Sequence, residues 1–228
     1  MGKIFYVMGK SASGKDTIYK ELRERIPELK TVVLYTTRPI RDGETEGVEY
    51  HFTTAERLGD FRREKRLIEE RTYQTVYGPW SYFTVDDGQI CLDKKDSYLM
   101  IGTLESYEKM RGYFGENGLV PVYIEVDDGV RLERALQREK GQKEPKYKEL
   151  CRRFLADEED FKEENLTRCG IRRRYRNDDL DVCIEEICRD KGGYRNVEYE
   201  REDGEEKYGK YVYEVSGRKK EGAYFKLR

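Results

Sequence analysis

Short apolar runs alternate with amphipathic stretches along most of the chain. Residues 4–8 form an apolar run with β-branched and aromatic members, and a loop rich in glycine and serine follows at once. The pattern then changes, because Ile18, Leu22 and Ile26 recur at every fourth position and predict the buried stripe of a helix that ends near Pro27. Further patterns predict strands at 31–35, 98–101 and 120–126 and helices at 105–114, 130–140 and 147–165. This order favours an α/β fold in which helices cover a parallel sheet.

Two regions depart from this rhythm. Residues 36–84 are rich in tyrosine, threonine, glycine and charge, with short strands predicted near 50–52 and 67–73, and residues 191–228 alternate polar and aromatic positions. We therefore predict a core at 1–35 and 85–190, a small mixed insertion at 36–84 and a β-rich C-terminal extension at 191–228. The core also contains a basic run at 172–176, which a sheet tolerates only at its edge.

The charge balance excludes some classes of partner. Forty-five basic and 47 acidic residues leave a net charge of −2, so the chain has no bulk attraction to nucleic acid or to an anionic membrane. No apolar run approaches the length of a membrane span. The five cysteines form no CxxC pair and only one histidine accompanies them, which favours reduced thiols in a cytoplasmic protein over a zinc site or a disulfide framework.

A phosphate-binding loop is predicted between the first strand and the first helix. The motif G-x-x-x-x-G-K runs from Gly9 to Lys15. Its glycines let backbone N–H groups approach a phosphate chain, the helix start adds its dipole, and Lys15 adds a positive charge. Asp16 stands where the motif has Ser or Thr, with Thr17 next, so these two are the candidates to hold Mg²⁺ that arrives with ATP. The predicted ATP-binding residues of the loop are Gly9, Ser11, Ser13, Gly14, Lys15, Asp16 and Thr17.

A second anion site is predicted in the insertion. Arg38 and Arg41 lie three residues apart on a loop bounded by glycine, and two such guanidinium groups can clamp one phosphate while a tyrosine hydroxyl, that of Tyr50, completes the cage. Taken alone, the same segment is equally well a solvated, charged turn.

The string T-T-R-x-x-R-x-G-E, followed by G-x-x-Y-x-F, resembles the acceptor-nucleotide signature of the guanylate kinases. The resemblance covers roughly residues 3–190. It implies a three-layer P-loop NTPase fold with a parallel sheet, an acceptor-binding insertion and a helical lid at about 130–160, and transfer of the γ-phosphoryl group of ATP to GMP. By this resemblance Arg38, Arg41 and Tyr50 bind the GMP phosphate, Arg38 also neutralises charge during transfer, and Glu44 orients the loop.

The resemblance also implies base and phosphate contacts further along the insertion. Glu69 would accept hydrogen bonds from guanine N1 and the 2-amino group, and Tyr77 would reach the phosphate. Pro79 and Trp80 displace the hydroxyl residue expected after Tyr-Gly, so Ser81 is its substitute. The usual I-D-x-Q-G strand end is absent, which leaves Thr103 as the nearby polar candidate.

Arginines are predicted to close over the ATP phosphates from the lid. By resemblance Arg138 and Arg153 fill this catalytic role beside Lys15 and Arg38, while Arg134 is interpreted as part of an exposed face paired with acids. The string N-D-D-L-D begins at Asn177, which would help hold adenine.

Two other functions remain open at this stage. Kinases of sugar phosphates such as ribose 1,5-bisphosphate resemble guanylate kinases and also carry Asp after the loop lysine. A guanylate-kinase-like binding module without catalysis is the third reading, although such modules typically lose the loop lysine and the lid arginines, which this chain keeps. The oligomeric state is not predicted.

Overall fold

A computed structural model describes residues 2–75 and 77–190 in full, and the backbone of 197–200, 208–215 and 218–226. In chain order the elements are β1 Ile4–Met8, α1 Lys15–Arg25, β2 Lys30–Thr31, β3 Leu34–Thr36, β4 Tyr50–Phe52, α2 Ala55–Arg63, β5 Leu67–Thr75, β6 Gly78–Val85, β7 Tyr98–Ile101, α3 Leu104–Phe114, β8 Leu119–Glu125, α4 Asp128–Lys140, α5 Tyr147–Asp160, α6 Glu163–Arg168, β9 Arg174–Arg176, α7 Leu180–Asp190, β10 Val197–Glu200, β11 Tyr208–Val215 and β12 Arg218–Lys226.

A five-stranded parallel sheet, in the order β2-β7-β1-β8-β9, forms the centre of the fold. The apolar β1 lies in the middle, as a strand buried on both faces requires. The basic strand β9 lies at the edge, where Arg174 pairs with Glu125 and Glu163. The predicted edge position of the basic run is confirmed.

Helices cover both faces of this sheet. Because side chains alternate along a strand, β1 directs Ile4, Tyr6 and Met8 into one core cluster and Val7 into the other. The first cluster is completed by α3 and the second by α1 and α7. The predicted three-layer α/β arrangement is confirmed.

The insertion forms a second sheet, which we call the acceptor sheet, in the order β4-β3-β6-β5. One of its faces packs on α2 through a small core of Leu58, Phe61, Phe83 and Val85. The single strand predicted at 31–35 is wrong: β2 joins the central sheet, whereas β3 joins the acceptor sheet. The chain leaves the first sheet because the side chain of Gln89 bonds both the N–H and the C=O of Val33.

The single helix predicted at 147–165 is also wrong, because α5 ends at Asp160 and α6 begins at Glu163. Phe161, between them, is buried and stacks on Tyr123 with 5.5 Å between ring centroids. The Asn165 amide group donates to the carbonyls of Glu159 and Asp160, which the end of α5 leaves without helical partners.

Strands β10, β11 and β12 form a separate antiparallel sheet in that order. The assignment of 191–228 as an appended domain stays a prediction. Across the part of the chain that the structure describes, every helix is too short or too polar to cross a membrane.

Candidate active site

The loop after β1 is held tightly against its neighbours. A Cβ atom added at Gly9 would lie 2.6 Å from the Ile124 carbonyl oxygen and 2.8 Å from Ser13 Oγ, so only glycine fits. Gly14 has φ of 86°, a left-handed conformation that favours glycine, and its added Cβ would lie 2.3 Å from Asn177 Nδ2. The spacing of the two glycines therefore reflects close packing of the loop against β8 and the segment after β9.

Asn177 braces this loop. It is buried, its backbone N–H donates to the Glu125 carbonyl, and its amide donates to the Ser13 carbonyl across 2.8 Å. One N–H of the Asn177 amide therefore has a protein acceptor, and the predicted contact of Asn177 with adenine stays a prediction. The Ser13 hydroxyl is buried and makes no hydrogen bond within the described residues.

A cleft of about 400 Å³ opens between the loop and the lid helices. Its lining comprises Ser11, Ala12, Gly14, Lys15, Asp16, Thr17, Arg134, Arg138 and Arg153. The structure therefore brings together the loop lysine, both candidates for Mg²⁺ and both predicted lid arginines. The Arg153 Nε is buried without a hydrogen-bond partner among the described residues, and Lys15 Nζ lies 3.2 Å from Asp16 Oδ2. The cleft concentrates positive charge where a polyphosphate chain would lie.

The interpretation of Arg134 as an exposed, acid-paired arginine is wrong. Arg134 lines the cleft and donates to the Asn177 carbonyl across 3.1 Å. Its helical spacing with Arg131 and Arg138 could not show this, because α4 presents charged residues on several faces.

Sequence reasoning also missed Arg131, whose side chain is 1% exposed. It donates to Asp128 and Glu158 and to the Ser11 carbonyl, and its guanidinium lies 4.7 Å from the centre of the Phe154 ring. Asp157 on α5 accepts a hydrogen bond from the Ser11 N–H across 2.8 Å, so this predicted phosphate donor is engaged by the lid. Together these contacts join the loop to α4 and α5.

The second anion site is built around Arg38, which is buried. Its guanidinium makes two hydrogen bonds to Glu44, at 2.7 and 2.5 Å, and the Glu44 carboxylate also accepts from the Arg41 N–H. The hydrogen bonds from Arg38 lower the pKa of Glu44 to about 2. Tyr50 and Phe52 flank the guanidinium at 5.1 and 5.3 Å from their ring centres. The Arg41 side chain is exposed, beside this group.

Strand register places several of these side chains on one face of the acceptor sheet. Thr36 is opposite both Phe52 and Tyr82, and Tyr82 is opposite Arg71. Residues directly opposite share a face, and so do alternate residues along a strand. Tyr50, Arg71 and Glu69 therefore lie on the face opposite to α2, which we call the cleft face.

Glu69 is buried on the cleft face and fully engaged there. Arg71 Nε lies 3.1 Å from one of its oxygens, and the other accepts from Arg71 NH2 and from Thr84 Oγ1. Burial is the largest influence on the pKa of the Arg71 guanidinium and opposes its charge, yet Glu69, Tyr6 and Tyr73 together raise that pKa. In the sequence, only the spacing of two residues along a strand indicates this pair.

Two predicted GMP contacts, Tyr77 and Ser81, lie away from this face, and a third, Thr103, caps a helix. Tyr77 is 81% exposed and stacks on Trp80, because the chain turns tightly between β5 and β6. Ser81 points to the α2 side, where its hydroxyl meets Thr72 at 2.7 Å, since it alternates with Tyr82. Thr103 is the N-cap of α3, and its hydroxyl accepts from the Ser106 N–H.

The cleft face lies near the carboxyl ends of β1 and β7. Burial raises the pKa of Tyr6 on β1, and the charges of Arg71 and Glu69 also act on its hydroxyl. Tyr6 also meets Ser106 at 2.5 Å, and the Lys109 ammonium group on α3 donates to the Glu70 carbonyl on β5. The acceptor sheet therefore packs against α3, which begins at the carboxyl end of β7, the edge of a sheet where α/β proteins bind their ligands.

A glycine-rich loop between β1 and α1, helices that bring arginines to the same cleft and an inserted sheet with a buried arginine are features of a P-loop kinase. A sequence model of the family described as guanylate kinase matches residues 1–152. The chain belongs to the guanylate kinase family, whose activity is transfer of a phosphoryl group from ATP to GMP, and the predicted family resemblance is confirmed.

Individual relatives agree with this assignment. The chain is 28% identical to a guanylate kinase of Helicobacter hepaticus over 60% of its own length and 68% of that protein. It is 45% identical to a guanylate kinase of Frankia casuarinae, over 28% of its length and 35% of the relative. A crystal structure of guanylate kinase from Anaplasma phagocytophilum matches the fold with a TM-score of 0.56 at 18% identity, covering 82% of this chain and 83% of that one.

Proposed function

We propose that this chain catalyses ATP + GMP → ADP + GDP. Two groups of cationic side chains support the proposal: the cleft around Lys15 and the buried Arg38 of the acceptor sheet. A phosphate monoester dianion is already nucleophilic at neutral pH, so the reaction needs positioning and charge neutralisation rather than a strong general base.

The cleft residues would hold the donor nucleotide. Backbone N–H groups of the loop and the start of α1 would surround its phosphates, with Lys15 beside the transferred group. Arg138 and Arg153 would neutralise the charge that spreads over the equatorial oxygens in the transition state, and Arg134 lines the same cleft. Removal of water by the lid would strengthen each of these interactions.

Magnesium fits the mouth of this cleft. Mg²⁺ is usually bound by one or two carboxylates together with substrate phosphates, and Asp16 and Thr17 supply a carboxylate and a hydroxyl among the lining residues. Bound there with ATP, the ion would neutralise phosphate charge. The described residues hold no cluster of three or more His, Cys, Asp or Glu side chains suited to a metal, so the nucleotide would provide the other ligands.

Arg38, Arg41 and Tyr50 would hold the acceptor phosphate. Glu44 keeps the guanidinium of Arg38 in place with two hydrogen bonds and fixes the loop through the Arg41 N–H. An arginine can bind two oxygens of one phosphate through two parallel N–H groups. Glu69, on the same face, would then meet the base edge.

A sugar phosphate such as ribose 1,5-bisphosphate is the second candidate acceptor. The occupation of Glu69 by Arg71 and the capping role of Thr103 favour it, because both reduce the polar groups free to meet a base. The binding-module reading has less support, since Lys15, Arg138 and Arg153 converge on one cleft.

We also propose that the protein works in the cytoplasm, with ATP and GMP rather than nucleic acid or membrane as partners. All five cysteines are free thiols, and burial raises the pKa of Cys183 and of Cys188 to about 12, which keeps both protonated.

An acceptor panel tests the activity. Purified protein with Mg-ATP is mixed with GMP, AMP, CMP, UMP or ribose 1,5-bisphosphate, and ADP formation is followed by a coupled assay. We expect GMP to be the best acceptor. A higher kcat/KM with ribose 1,5-bisphosphate than with GMP would identify the sugar phosphate as the acceptor. Formation of ADP at the acceptor-free rate with every acceptor would disprove phosphoryl transfer to these compounds.

A further inference from the structure

Glu69 and Arg71 form an ion pair that is almost closed to solvent. Their side chains are 1% and 9% exposed. The contact is side-on: Arg71 Nε donates to Oε2 of Glu69 across 3.1 Å, and Arg71 NH2 donates to Oε1 across 3.3 Å. Thr84 Oγ1 adds a hydrogen bond to Oε1 across 2.9 Å. The carboxylate expected to read the base is therefore already bound by its own protein.

Most hydrogen-bond acceptor sites of the Glu69 carboxylate are already occupied. A carboxylate offers about four acceptor sites, two on each oxygen. Arg71 and Thr84 fill both sites on Oε1, and Arg71 fills one on Oε2. Guanine would bring two parallel donors, N1–H and one hydrogen of its 2-amino group, one to each oxygen. Only one site is free, so both donors can bind only if Arg71 withdraws.

Arg71 and guanine present the same chemistry to the carboxylate. N1, C2 and the 2-amino nitrogen of guanine form a guanidine-like unit, and its two N–H groups lie side by side as do Nε–H and NH2 of Arg71. The guanidinium also lies in the acceptor site, since Arg71 is opposite Tyr82, whose ring centre lies 5.7 Å from that of Tyr50, and Tyr50 flanks Arg38. Arg71 makes no further hydrogen bond within the described residues, so three of its five N–H groups are free to follow a ligand.

We propose that Arg71 is a specificity-determining residue of the acceptor site. Its guanidinium binds the Glu69 carboxylate in the place that the edge of guanine would take. GMP must displace it, and one side-on pair of N–H donors then replaces another on the same carboxylate. The exchange is nearly balanced, so the 2-amino group adds little to acceptor choice and the phosphate site around Arg38 carries most of it. This inference rests on the proposed function and concerns how that same site selects its base.

IMP provides the test, because its base lacks only the 2-amino group of guanine. The ratio of kcat/KM for GMP to that for IMP is measured with saturating Mg-ATP in the wild type, in Arg71→Lys and Arg71→Ala, and in Arg63→Ala as a control. Arg63 is an exposed arginine of α2, 72% exposed, outside both anion sites. A site that demands a hydrogen bond from its substrate rejects an analogue without it by about 10⁴-fold or more.

We expect a wild-type ratio below about 100-fold, well short of that demand. Arg71→Lys keeps a positive charge beside Glu69 but lacks the planar fork, so one oxygen becomes free for guanine and the ratio rises. If Arg71→Ala folds, it raises the ratio of kcat/KM for GMP to that for IMP by about tenfold or more. The rise comes from a lower KM for GMP, while kcat stays similar. Arg63→Ala keeps the wild-type ratio.

A wild-type ratio above about 100-fold would overturn the proposal, and so would a ratio in Arg71→Lys no higher than in the wild type. Arg71→Lys keeps the buried charge paired and so guards against misfolding as an explanation. Failure of the proposed function has a different signature, since neither nucleotide would then yield ADP above the acceptor-free rate.

Discussion

At the scale of single residues, three cations of the candidate site are each paired with a carboxylate. Lys15 lies beside Asp16, Arg38 is held by Glu44, and Arg71 is held by Glu69. Each pair avoids the cost of leaving a partly desolvated cation without a partner. The pairs differ in exposure: Asp16 is 77% exposed, whereas the Arg38 and Glu69 side chains are almost fully buried. Lys15 is therefore the cation most easily redirected to a ligand.

Lys15→Ala is expected to lower kcat with every acceptor by about 100-fold or more, because it removes the positive charge closest to the transferred phosphoryl group. Steady-state assays of ADP formation measure the loss. Lys20→Ala, an exposed lysine on the same helix, should keep wild-type activity. A Lys15→Ala enzyme within tenfold of wild type would contradict the assigned role of the loop.

Glu44 gives the acceptor site an acid-sensitive contact. Its folded-state pKa of about 2 lies below its ordinary value of 4.5, so its contribution to stability is full above pH 4.5 and is lost as the pH falls toward 2. We expect the difference in unfolding free energy between wild type and Glu44→Gln to shrink across that interval. Urea unfolding at several pH values measures it, with the exposed Glu24→Gln as control. A difference independent of pH would refute the pairing.

At the scale of elements, the lid is joined to the loop by buried charge. Arg131 on α4 contacts carboxylates from α4 and α5 together with a carbonyl of the loop, and Asp157 on α5 accepts a loop N–H. A change in this network therefore reaches three elements at once. The position of the lid arginines over the cleft depends on it, although Arg131 itself lies outside the cleft lining.

Arg131→Met is expected to lower the unfolding free energy by about 1–3 kcal/mol, because it removes the hydrogen bonds that this buried guanidinium donates to Asp128, Glu158 and the Ser11 carbonyl. Arg152→Met is the matched control on α5. Arg152 and its partner Glu149 are both exposed, and exposed ion pairs contribute about 0–1 kcal/mol to the free energy of unfolding. Denaturant unfolding compares the two variants. Equal losses in both would show that the network around Arg131 has no special weight.

At the scale of the whole molecule, the two anion sites belong to different sheets. The donor cleft is built on the central sheet and the lid, while Arg38 belongs to the acceptor sheet, whose small core around Phe83 is separate from the two central clusters. Ligands that bind only the folded state should therefore stabilise the protein through independent sites.

We expect a non-hydrolysable ATP analogue with Mg²⁺, and GMP, each at 100 times its Kd, to stabilise the fold by about 2.7 kcal/mol, or roughly 5–10 °C in Tm. Differential scanning fluorimetry measures both shifts. Lys15→Ala should lose most of the shift with the ATP analogue and keep the shift with GMP. Loss of both shifts in that variant would mean that the sites are not separate.

The sequence by itself determined the repeating units of the fold and the candidate residues of two anion sites. Periodicity located β1, α1, α3 and α4 to within two residues, because each buries one regular stripe or run. The glycine spacing of the loop and the arginine string of the insertion identified chemistry that depends on local backbone and on neighbours close in the chain. The family assignment followed from those same residues.

Only the tertiary structure decided which side chains are free to meet a ligand. The run at 31–35 is divided between two sheets by Gln89, more than 50 residues away in sequence. Hydrogen bonds also join Asn177 to Ser13, Thr103 to Ser106 and Glu69 to Arg71. These contacts depend on strand register and on the angle between elements. A local pattern specifies which group a residue carries, whereas its hydrogen-bond partner depends on parts of the chain that meet only after folding.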